Sequence, residues 1–282
     1  MHVTKTQKLY NDAAHVDTGK DRNRGDAFPV KEYHNRVKRL LLETFALNAE
    51  NLLDIATGRG GDLQKWQYAN IKFVHGIDSS CDSLIEANRR LFEMKDKMPC
   101  KVIFEPVVDF AYRDFQSPHG PFSAISCMFA LHYFFETEWT LHQTMVNVTN
   151  NLHPGGVFFG CVPHGLRLLE VLNGSNHYET TCLKISLPSN TTNCFGSAYD
   201  ISITDTITEA RSSEFLVFEN VLTTVASMYG LYPIIEYPQA LATVLFAQDS
   251  QNVFKHFDPQ FSFAPKQQEV SRLFATFAFI KK

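Results

Sequence analysis

The chain has 282 residues, of which 44% are hydrophobic and 13% aromatic, enough to bury the core of one sizeable globular domain. Its net charge of −4 excludes a protein coated with phosphate-binding surface. No apolar run approaches the roughly 20 residues that span a bilayer, and the N-terminus lacks an apolar signal-peptide segment. We therefore expect an intracellular protein with no membrane partner.

The first 29 residues are polar and have no sustained hydrophobic period, which predicts a basic arm or linker ahead of one domain over 30–282. Residues 1–40 hold nine Lys or Arg and five Asp or Glu, a balance of +4 that leaves −8 on the remainder. A polyanionic partner would meet this arm first. The alternative is a solvated, flexible leader.

Strand-like and helix-like segments alternate through the first half of the predicted domain. From Val30 onward, apolar residues recur at steps of three and four, which predicts an amphipathic helix that contains Lys38. The predicted strands are NLLDIAT, IKFVHGID, KVIFEPV, FSAISCMFA and, after the turn HPGG, VFFGCVP; the predicted helices lie near 61–69, 80–96 and 138–151. This alternation predicts an α/β fold, a mostly parallel sheet with helices on both faces, which binds ligands beyond the carboxyl ends of its strands.

The second half departs from this alternation. Residues from about 174 to 213 form short polar and β-branched pieces, which predicts an inserted β element over the sheet. A helix is expected over EFLVFENVLTTVASMYG, and RLFATFAFIKK is typical of a final strand. Six cysteines without a CxxC pair indicate reduced thiols, and no metal site is predicted.

A glycine-rich turn follows the first predicted strand. Gly58, Gly60 and Gly61 would let the backbone approach a ligand at the start of the next helix. A dinucleotide fingerprint needs a third glycine three residues after Gly60, and Leu63 stands there. The spacing therefore disfavours NAD.

Acidic residues end the next two strands. Asp78 lies 20 residues beyond Gly58, where a carboxylate can accept hydrogen bonds from both hydroxyls of an adenosyl ribose. Asp109, after the third strand, could accept from an adenine amino group. The alternatives are that Asp78 caps the following helix and that Asp109 begins a turn.

Together these segments resemble the eukaryotic and viral mRNA cap guanine-N7 methyltransferases, which use S-adenosylmethionine. The matching segments keep the family's order from about residue 10 to 232 and are YND, HNRVKRLL, LLDIATGRGGDLQKW, GID, ISCMFALHYFFE, LHPGGVFFGCVP, FGSAYDISI and EFLVFENVLTTVASMYGL. Within the family, the similarity is greatest to the methyltransferase domain of capping enzymes from large cytoplasmic DNA viruses. The resemblance implies a Rossmann-like class I S-adenosylmethionine-dependent methyltransferase fold.

The resemblance also implies roles for individual residues. Those implied to bind the cofactor S-adenosyl-L-methionine are Lys38, Asp54, Ala56, Gly58, Asp78, Asp109, Met128 and Tyr133. Those implied to bind the capped RNA substrate are His34, Asn35, Arg59, Lys65, Arg90, His132, Glu214 and Phe274. His132, Tyr133 and Glu214 would position the reactants, because attack by guanine N7 on a sulfonium methyl needs no general base.

The residue types suit this chemistry, and each has an ordinary alternative. Glu214 can accept from N1–H and N2–H of guanine, or it is a first-turn helix acid. The positive charges of Arg59, Lys65 and Arg90 suit binding of a triphosphate bridge. The alternative is that Arg59 and Arg90 are solvated surface charges. The aromatic residues suit contact with rings, or His132 and Tyr133 are plain core residues.

Several positions depart from the family pattern. Ala56 and Thr57 stand where the family has Gly-Cys. At four other positions this chain has Arg59 where the family has Lys, His34 where it has Asn, Met128 where it has Gln, and Phe274 where it has Tyr. Ala56 adds a methyl group where the backbone meets the cofactor's amino-acid end, and Met128 loses an amide. These changes favour an alternative: a cap- or cofactor-binding module of a larger capping enzyme with little activity alone. A small-molecule N-methyltransferase on the same fold is another alternative.

The expected reaction is methyl transfer from S-adenosylmethionine to N7 of the cap guanine of GpppN-RNA. The expected partners are the capped RNA 5′ end and other capping domains, a triphosphatase and a guanylyltransferase, in the same chain or complex. We expect the host cytoplasm or the virion if the source is a cytoplasmic DNA virus, and the nucleus otherwise.

Overall fold

A computed structural model describes residues 8, 11–12, 28–94, 99–188, 192–204, 212–238, 245–247, 252–259 and 265–282. Within these ranges the helices are α1 (Phe28–Phe45), α2 (Leu63–Tyr68), α3 (Cys81–Met94), α4 (Glu138–Asn151), α5 (Gly165–Leu172), α6 (Glu219–Met228) and α7 (Pro265–Arg272). The strands are β1 (Leu52–Ile55), β2 (Phe73–Asp78), β3 (Lys101–Pro106), β4 (Phe122–Met128), β5 (Leu152–Pro163), β6 (His177–Glu179), β7 (Leu183–Ser186), β8 (Ala198–Ile203), β9 (Ser212–Phe215), β10 (Leu231–Pro233), β11 (Lys255–His256) and β12 (Phe274–Lys281). A 3₁₀ turn over Leu131–Phe135 joins β4 to α4.

The main sheet has the strand order β10-β12-β5-β4-β1-β2-β3, with β11 paired to β12. Strands β3, β2, β1, β4 and β5 are parallel, while β12 and β10 are antiparallel to their neighbours. The predicted mostly parallel sheet is therefore confirmed. The strand order reverses between β1 and β4, and ligands of open α/β sheets bind at such a point beyond the carboxyl ends of the strands.

Apolar cores lie on both faces of the sheet, as the sequence predicts. Successive residues of β1 alternate between them: Leu52 packs with α1 and α2, and Leu53 packs with α4 and α6. The helix predicted from Val30 is α1, and it buries one stripe, Val30, Tyr33, Val37, Leu41 and Leu42. This stripe fixes α1 over the first core, with Lys38 beside it.

Two predicted elements differ from the structure. The segment HPGG, expected as a turn, lies inside β5, where the pairing with β4 shifts register between Phe122 and Ala124. The helix expected from Glu214 begins at Glu219, because Glu214 and Phe215 pair with β8 instead. Residues of β9 thus pair with β8, although their apolar pattern is also compatible with a helix.

The predicted insertion is a second, antiparallel sheet of the described residues, in the order β6-β7-β8-β9. Alternate residues of β8, namely Tyr199, Ile201 and Ile203, are buried, so one face of this sheet packs onto the domain. The insertion extends to Phe215, slightly beyond the predicted limit, and 189–191 and 205–211 lie outside the described residues.

The predicted basic arm lies mostly outside the described residues. Asn11, in the YND segment, is described, and its Oδ1 accepts a hydrogen bond of 2.6 Å from Ser80 Oγ. Ser80 follows the carboxyl end of β2, so this N-terminal residue lies at the ligand-binding edge of the sheet. Tyr10 is outside the described residues, and the role of the arm stays a prediction.

The described residues contain no metal-binding group of three or more His, Cys, Asp or Glu side chains. All six cysteines are free thiols; Cys81 and Cys194 are exposed and the other four are buried. A search of the described helices for one long and apolar enough to cross a membrane finds none.

Candidate active site

The glycine-rich turn after β1 is bound to the carboxyl end of β2. The backbone N–H of Gly58 donates to Asp78 Oδ2 at 2.7 Å, and the N–H of Ser80 donates to Asp78 Oδ1 at 2.8 Å. Burial raises the pKa of Asp78, and these N–H groups oppose that rise. Ser80 Oγ accepts from the N–H of Ser83 at the start of α3, so the capping role considered for Asp78 falls to Ser80.

Three residues of this turn have left-handed backbone conformations. Gly58 and Gly60 have φ of +57° and +69°, which glycine adopts without strain. Ala56 has φ of +58°, where its Cβ crowds the backbone. The departure from the family pattern at position 56 therefore falls where the backbone itself favours glycine.

Asp54 is buried in β1, directly beneath this turn. Its Oδ1 accepts a hydrogen bond from Ser126, the residue paired with it on β4. Burial and the nearby charge of Asp62 raise the pKa of Asp54 to about 7. Asp54 therefore joins β1 to β4 inside the protein, two residues before the turn begins.

Asp62 joins two lysines that the family resemblance assigns to different ligands. Its Oδ1 lies 2.6 Å from Lys38 Nζ and 2.9 Å from Lys65 Nζ, and its Oδ2 accepts from Lys38 at 2.8 Å. Lys65 also donates to Gly61 O at 2.8 Å and is only 5% exposed. Although burial raises the pKa of Asp62, the two ammonium groups lower it to about 2. Sequence reasoning gave Asp62 no role, although its place directly after Gly61, at the start of the helix predicted near 61–69, could have indicated one.

Asp109 follows β3 as predicted. Its carboxylate is ion-paired with Arg113, and its carbonyl accepts from the N–H of Tyr112 at 2.9 Å. Asp109 thus begins a turn, as the alternative held, and its role toward adenine stays a prediction.

Two further predicted site residues lie on other elements. Met128 is half-buried at the end of β4, and its Sδ lies 4.0 Å from Cys161 Sγ. Asn35 is exposed on α1.

An aromatic cluster lies where α1, β4 and β12 meet. The His34 ring stacks on Phe129 with centroids 5.0 Å apart, and Phe274 meets both rings edge-on at 5.0 and 5.3 Å. Phe257 closes the cluster 5.4 Å from His34. Burial lowers the pKa of His34 to about 3, so the ring is neutral at pH 7. Phe129, which has φ of +59°, lies in the matching segment ISCMFALHYFFE but was given no role, and Phe257 lies in none of the matching segments.

Glu214 and His132 meet where the inserted sheet covers the end of β4. His132 Nε2 lies 3.5 Å from Glu214 Oε2, and Tyr199 OH donates to the same oxygen at 2.6 Å. His132 is 3% and Glu214 5% exposed. Neither ring nitrogen of His132 forms a hydrogen bond within the described part of the chain. Tyr133 is half-buried beside His132, with ring centroids 4.1 Å apart.

These positions exclude one of the earlier alternatives for Glu214. Because Glu214 lies in β9, it is not a first-turn helix acid, and that alternative is wrong. A buried histidine without hydrogen bonds beside a buried carboxylate is also unlike a plain core residue.

The two arginines expected to contact phosphate share Glu86 on α3. Arg90 Nε donates to Glu86 Oε1 at 2.7 Å, and Arg59 Nη2 lies 3.9 Å from the same oxygen. Hydrogen bonds from Arg89, then those from Arg90, lower the pKa of Glu86 to about 2. The arginines are held in place rather than freely solvated. Glu86 was missed, although its position four residues before Arg90 on a predicted helix could have indicated it.

A cavity of about 550 Å³ opens on the other face of the inserted sheet. Its lining includes Lys184, Asp200 and Ser202 together with Ile185 and Ile201. Tyr199 and Asp200 are successive residues of one strand, so their side chains point to opposite faces, and neither Tyr199 nor Glu214 is among the described residues that line the cavity. The cavity is therefore separate from the candidate site.

The fold has many solved counterparts. The chain is similar to the N-methyltransferase NodS from Bradyrhizobium japonicum WM9 in complex with S-adenosyl-L-homocysteine, with a TM-score of 0.56, 13% identity and 99% of each chain covered. It is also similar to an S-adenosylmethionine-dependent methyltransferase from Clostridium acetobutylicum ATCC 824, with a TM-score of 0.53, 14% identity and coverage of 96% and 98%. The fold is therefore the Rossmann-like class I S-adenosylmethionine-dependent methyltransferase fold, as expected.

Residues 2–278 match the family described as the mRNA (guanine-N(7))-methyltransferase domain, and the chain belongs to that family. It is 28% identical over 276 residues to the mRNA cap guanine-N(7) methyltransferase of Candida glabrata, covering 89% of this chain and 64% of the relative. The corresponding Saccharomyces cerevisiae protein is 27% identical over 271 residues, with 89% and 61% covered. The chain thus spans less than two thirds of the length of these relatives. The family prediction from the sequence is confirmed.

Proposed function

We propose that this domain methylates N7 of the cap guanine of GpppN-RNA with S-adenosylmethionine as methyl donor. One observation carries the proposal: Glu214 and His132 form a buried polar pair whose hydrogen-bonding capacity the described residues leave partly unused. Buried polar groups need partners, and the Watson–Crick edge of guanine offers two donors and an acceptor oxygen. Membership of the family supports the same substrate.

The residues at the strand ends suit the proposed cofactor. Asp78, held by Gly58 and Ser80, has acceptor lone pairs left for the ribose hydroxyls, since a carboxylate offers about four. Lys38 lies next to the turn through Asp62 and supplies a cation for the carboxylate of the methionine moiety. When bound, S-adenosylmethionine supplies an electrophilic methyl group on its sulfonium.

The protein's part in the reaction is positioning. Guanine N7 has a lone pair and no proton, so the site needs no general base. Glu214 accepts from the guanine edge, His132 and Tyr133 contact the ring, and Arg59 and Arg90 bind the triphosphate bridge. Holding two reactants in line can lower a barrier by roughly 7 to 11 kcal/mol in favourable cases.

We also propose that the domain belongs to a longer capping enzyme similar to that of a large cytoplasmic DNA virus, such as African swine fever virus. The order of the matching segments and the net positive charge of residues 1–40 support this. In such an enzyme, triphosphatase and guanylyltransferase domains would be the partners, and the host cytoplasm or virion the location. If the source is not such a virus, we propose the nucleus.

A second candidate is a cap- or cofactor-binding module with little activity alone. The left-handed Ala56 favours it, because a strained turn weakens the preorganisation that cofactor binding needs. Robust multiple turnover by the isolated chain would rule this candidate out.

The test is a methyl-transfer assay with labelled S-adenosylmethionine, offering GpppA-capped RNA, uncapped RNA and free GTP, with the methyl position mapped by mass spectrometry. Methylation at cap guanine N7 alone supports the proposal, and Glu214→Ala should abolish most of it. Transfer to a small molecule but not to capped RNA would reject it. Cofactor binding without transfer would favour the module.

A further inference from the structure

Tyr199 and Glu214 are direct cross-strand neighbours in the inserted sheet. The register of β8 and β9 pairs these two residues, so their side chains lie on the same face. That face is the buried one, where Tyr199 is 0% exposed. The tyrosine hydroxyl donates to Glu214 Oε2 at 2.6 Å, the short distance expected for a hydrogen bond to a carboxylate.

The two oxygens of Glu214 have different surroundings. Oε2 accepts from Tyr199 and lies 3.5 Å from His132 Nε2. No hydrogen bond to Oε1 exists among the described residues, and the side chain as a whole is almost fully buried. A carboxylate fixed through one oxygen presents the other in a defined direction, whereas an unfixed glutamate would sample several rotamers.

Tyr199 is suited to act only as a donor toward Glu214. Its burial and the nearby carboxylate raise its pKa well above the ordinary value, so the hydroxyl keeps its proton. An ionised carboxylate only accepts hydrogen bonds, and therefore the tyrosine cannot reverse the direction of this one.

We propose that Tyr199 is a positioning residue that aims Glu214 Oε1 at the N–H donors of the target purine and so sets the preference for guanine. The proposal rests on the proposed function. It predicts that discrimination depends on the Tyr199 hydroxyl although this hydroxyl does not itself contact the substrate. A cap purine without the exocyclic amino group should have a lower kcat/KM than guanine in the wild type, and removal of the Tyr199 hydroxyl should abolish that difference.

The experiment compares GpppA-RNA with IpppA-RNA, in which hypoxanthine lacks the 2-amino group and keeps N7. For the wild-type domain we expect kcat/KM to favour the guanine cap by about tenfold, the value of one charge-assisted hydrogen bond. In Tyr199→Phe we expect KM for GpppA-RNA to rise about tenfold, kcat to change less than about threefold, and the guanine preference to fall toward one.

Tyr178→Phe is the matched control. Tyr178 lies on β6 of the same sheet, and its hydroxyl donates to Glu269, which has no place in the site. This variant removes an equivalent tyrosine–glutamate hydrogen bond and should keep the wild-type preference. Equal losses on both caps in Tyr199→Phe, or an unchanged preference, would overturn the proposal by reducing Tyr199 to a structural residue.

A double-mutant cycle with Glu214→Gln gives a second readout. If Tyr199 acts through Glu214, Tyr199→Phe should add little to the effect of Glu214→Gln, whereas independent residues would show additive losses. Should Tyr199→Phe not fold, Glu214→Asp keeps the charge and withdraws it from the hydroxyl by one methylene. Retention of the guanine preference in that variant would overturn the proposal, because Glu214 would then select guanine without the Tyr199 hydrogen bond. A wild-type domain inactive on GpppA-RNA would instead reject the proposed function.

Discussion

Lys38 and Asp62 form an ion pair of 2.6 Å between the middle of α1 and the start of α2. Lys65 is bound to the same carboxylate oxygen, so one buried acid holds two cations that would otherwise repel each other. These three side chains connect the helix before the sheet to the turn after β1. Asp62 therefore organises the predicted cofactor side of the site without being one of its predicted ligands.

Replacing Asp62 by Asn should destabilise the fold, because it leaves the buried Lys65 and the half-buried Lys38 without a counter-charge. We expect the free energy of unfolding at pH 7 to fall by about 3 kcal/mol, measured by urea denaturation. Glu50→Gln is the control. It removes the partner of Lys72 in a pair whose side chains are 60% and 72% exposed, and it should cost less than about 1 kcal/mol.

The effect of Asp62→Asn should also depend on pH. The folded-state pKa of Asp62, about 2, lies below the ordinary value, so the stabilising effect is complete above about pH 4. It is lost as pH falls toward 2. A difference between wild type and variant that stays constant from pH 5 to pH 2.5 would contradict this assignment.

Asp54 should give the opposite pH dependence. Its folded-state pKa of about 7 lies above the unfolded value, so deprotonation favours unfolding between about pH 4 and pH 7. Wild type should therefore lose stability relative to Asp54→Asn as pH rises through that range, by more than about 1 kcal/mol. Urea denaturation of both proteins at pH 4.5, 6 and 7.5 measures the change. Asp82→Asn, which changes a half-buried acid in the first turn of α3, should show no comparable trend.

The sequence located those parts of the site that local patterns along the chain determine. The strand ends were readable from apolar runs, and these runs correctly placed Asp78 at the end of β2 and Asp109 after β3. The Gly58–Asp78 hydrogen bond follows, because neighbouring parallel strands bring their ends together.

Interactions that depend on side-chain direction or strand register were not readable. The Tyr199–Glu214 pair needs the register of β8 and β9, and no local pattern fixed it. The same uncertainty led to Glu214 being placed in a helix, since its apolar neighbours suit either element. The left-handed conformation of Ala56 was not readable either, because alanine does not signal it as glycine does.

Ala56→Gly should relieve backbone strain. A left-handed alanine costs roughly 1 to 2 kcal/mol, and part of the gain is offset because glycine loses more entropy on folding. We expect the free energy of unfolding to rise by up to about 1 kcal/mol and S-adenosylmethionine to bind more tightly in calorimetry. Ala69→Gly is the control: its φ is −75°, so the change should destabilise. If both substitutions destabilised equally, strain at Ala56 would be refuted.

Arg59 and Arg90 should account for much of the salt dependence of cap binding. Arg59→Ala or Arg90→Ala should each weaken binding of GpppA-RNA and reduce the slope of log affinity against log salt by about 1. Arg89→Ala removes the same charge from a neighbouring position on α3, where the side chain is 56% exposed and paired with Glu86 and Glu93. It should change the slope less. Equal slopes for all three variants would show that the arginines act only through net charge.

Asp78→Asn tests the cofactor side of the site. The carboxylate accepts from Gly58 and Ser80 through different oxygens, and an amide can replace only one of these acceptors. The variant should therefore loosen the turn and lose an acceptor for the ribose, raising the Kd for S-adenosylmethionine at least about tenfold in calorimetry. Asp82→Asn, four residues further along and half-buried in the first turn of α3, is the matched control and should bind as wild type does. Unchanged affinity in a folded Asp78→Asn variant would show that Asp78 is not part of the cofactor site. The assignment of the glycine turn as the place where the adenosyl group binds would then lose its main support.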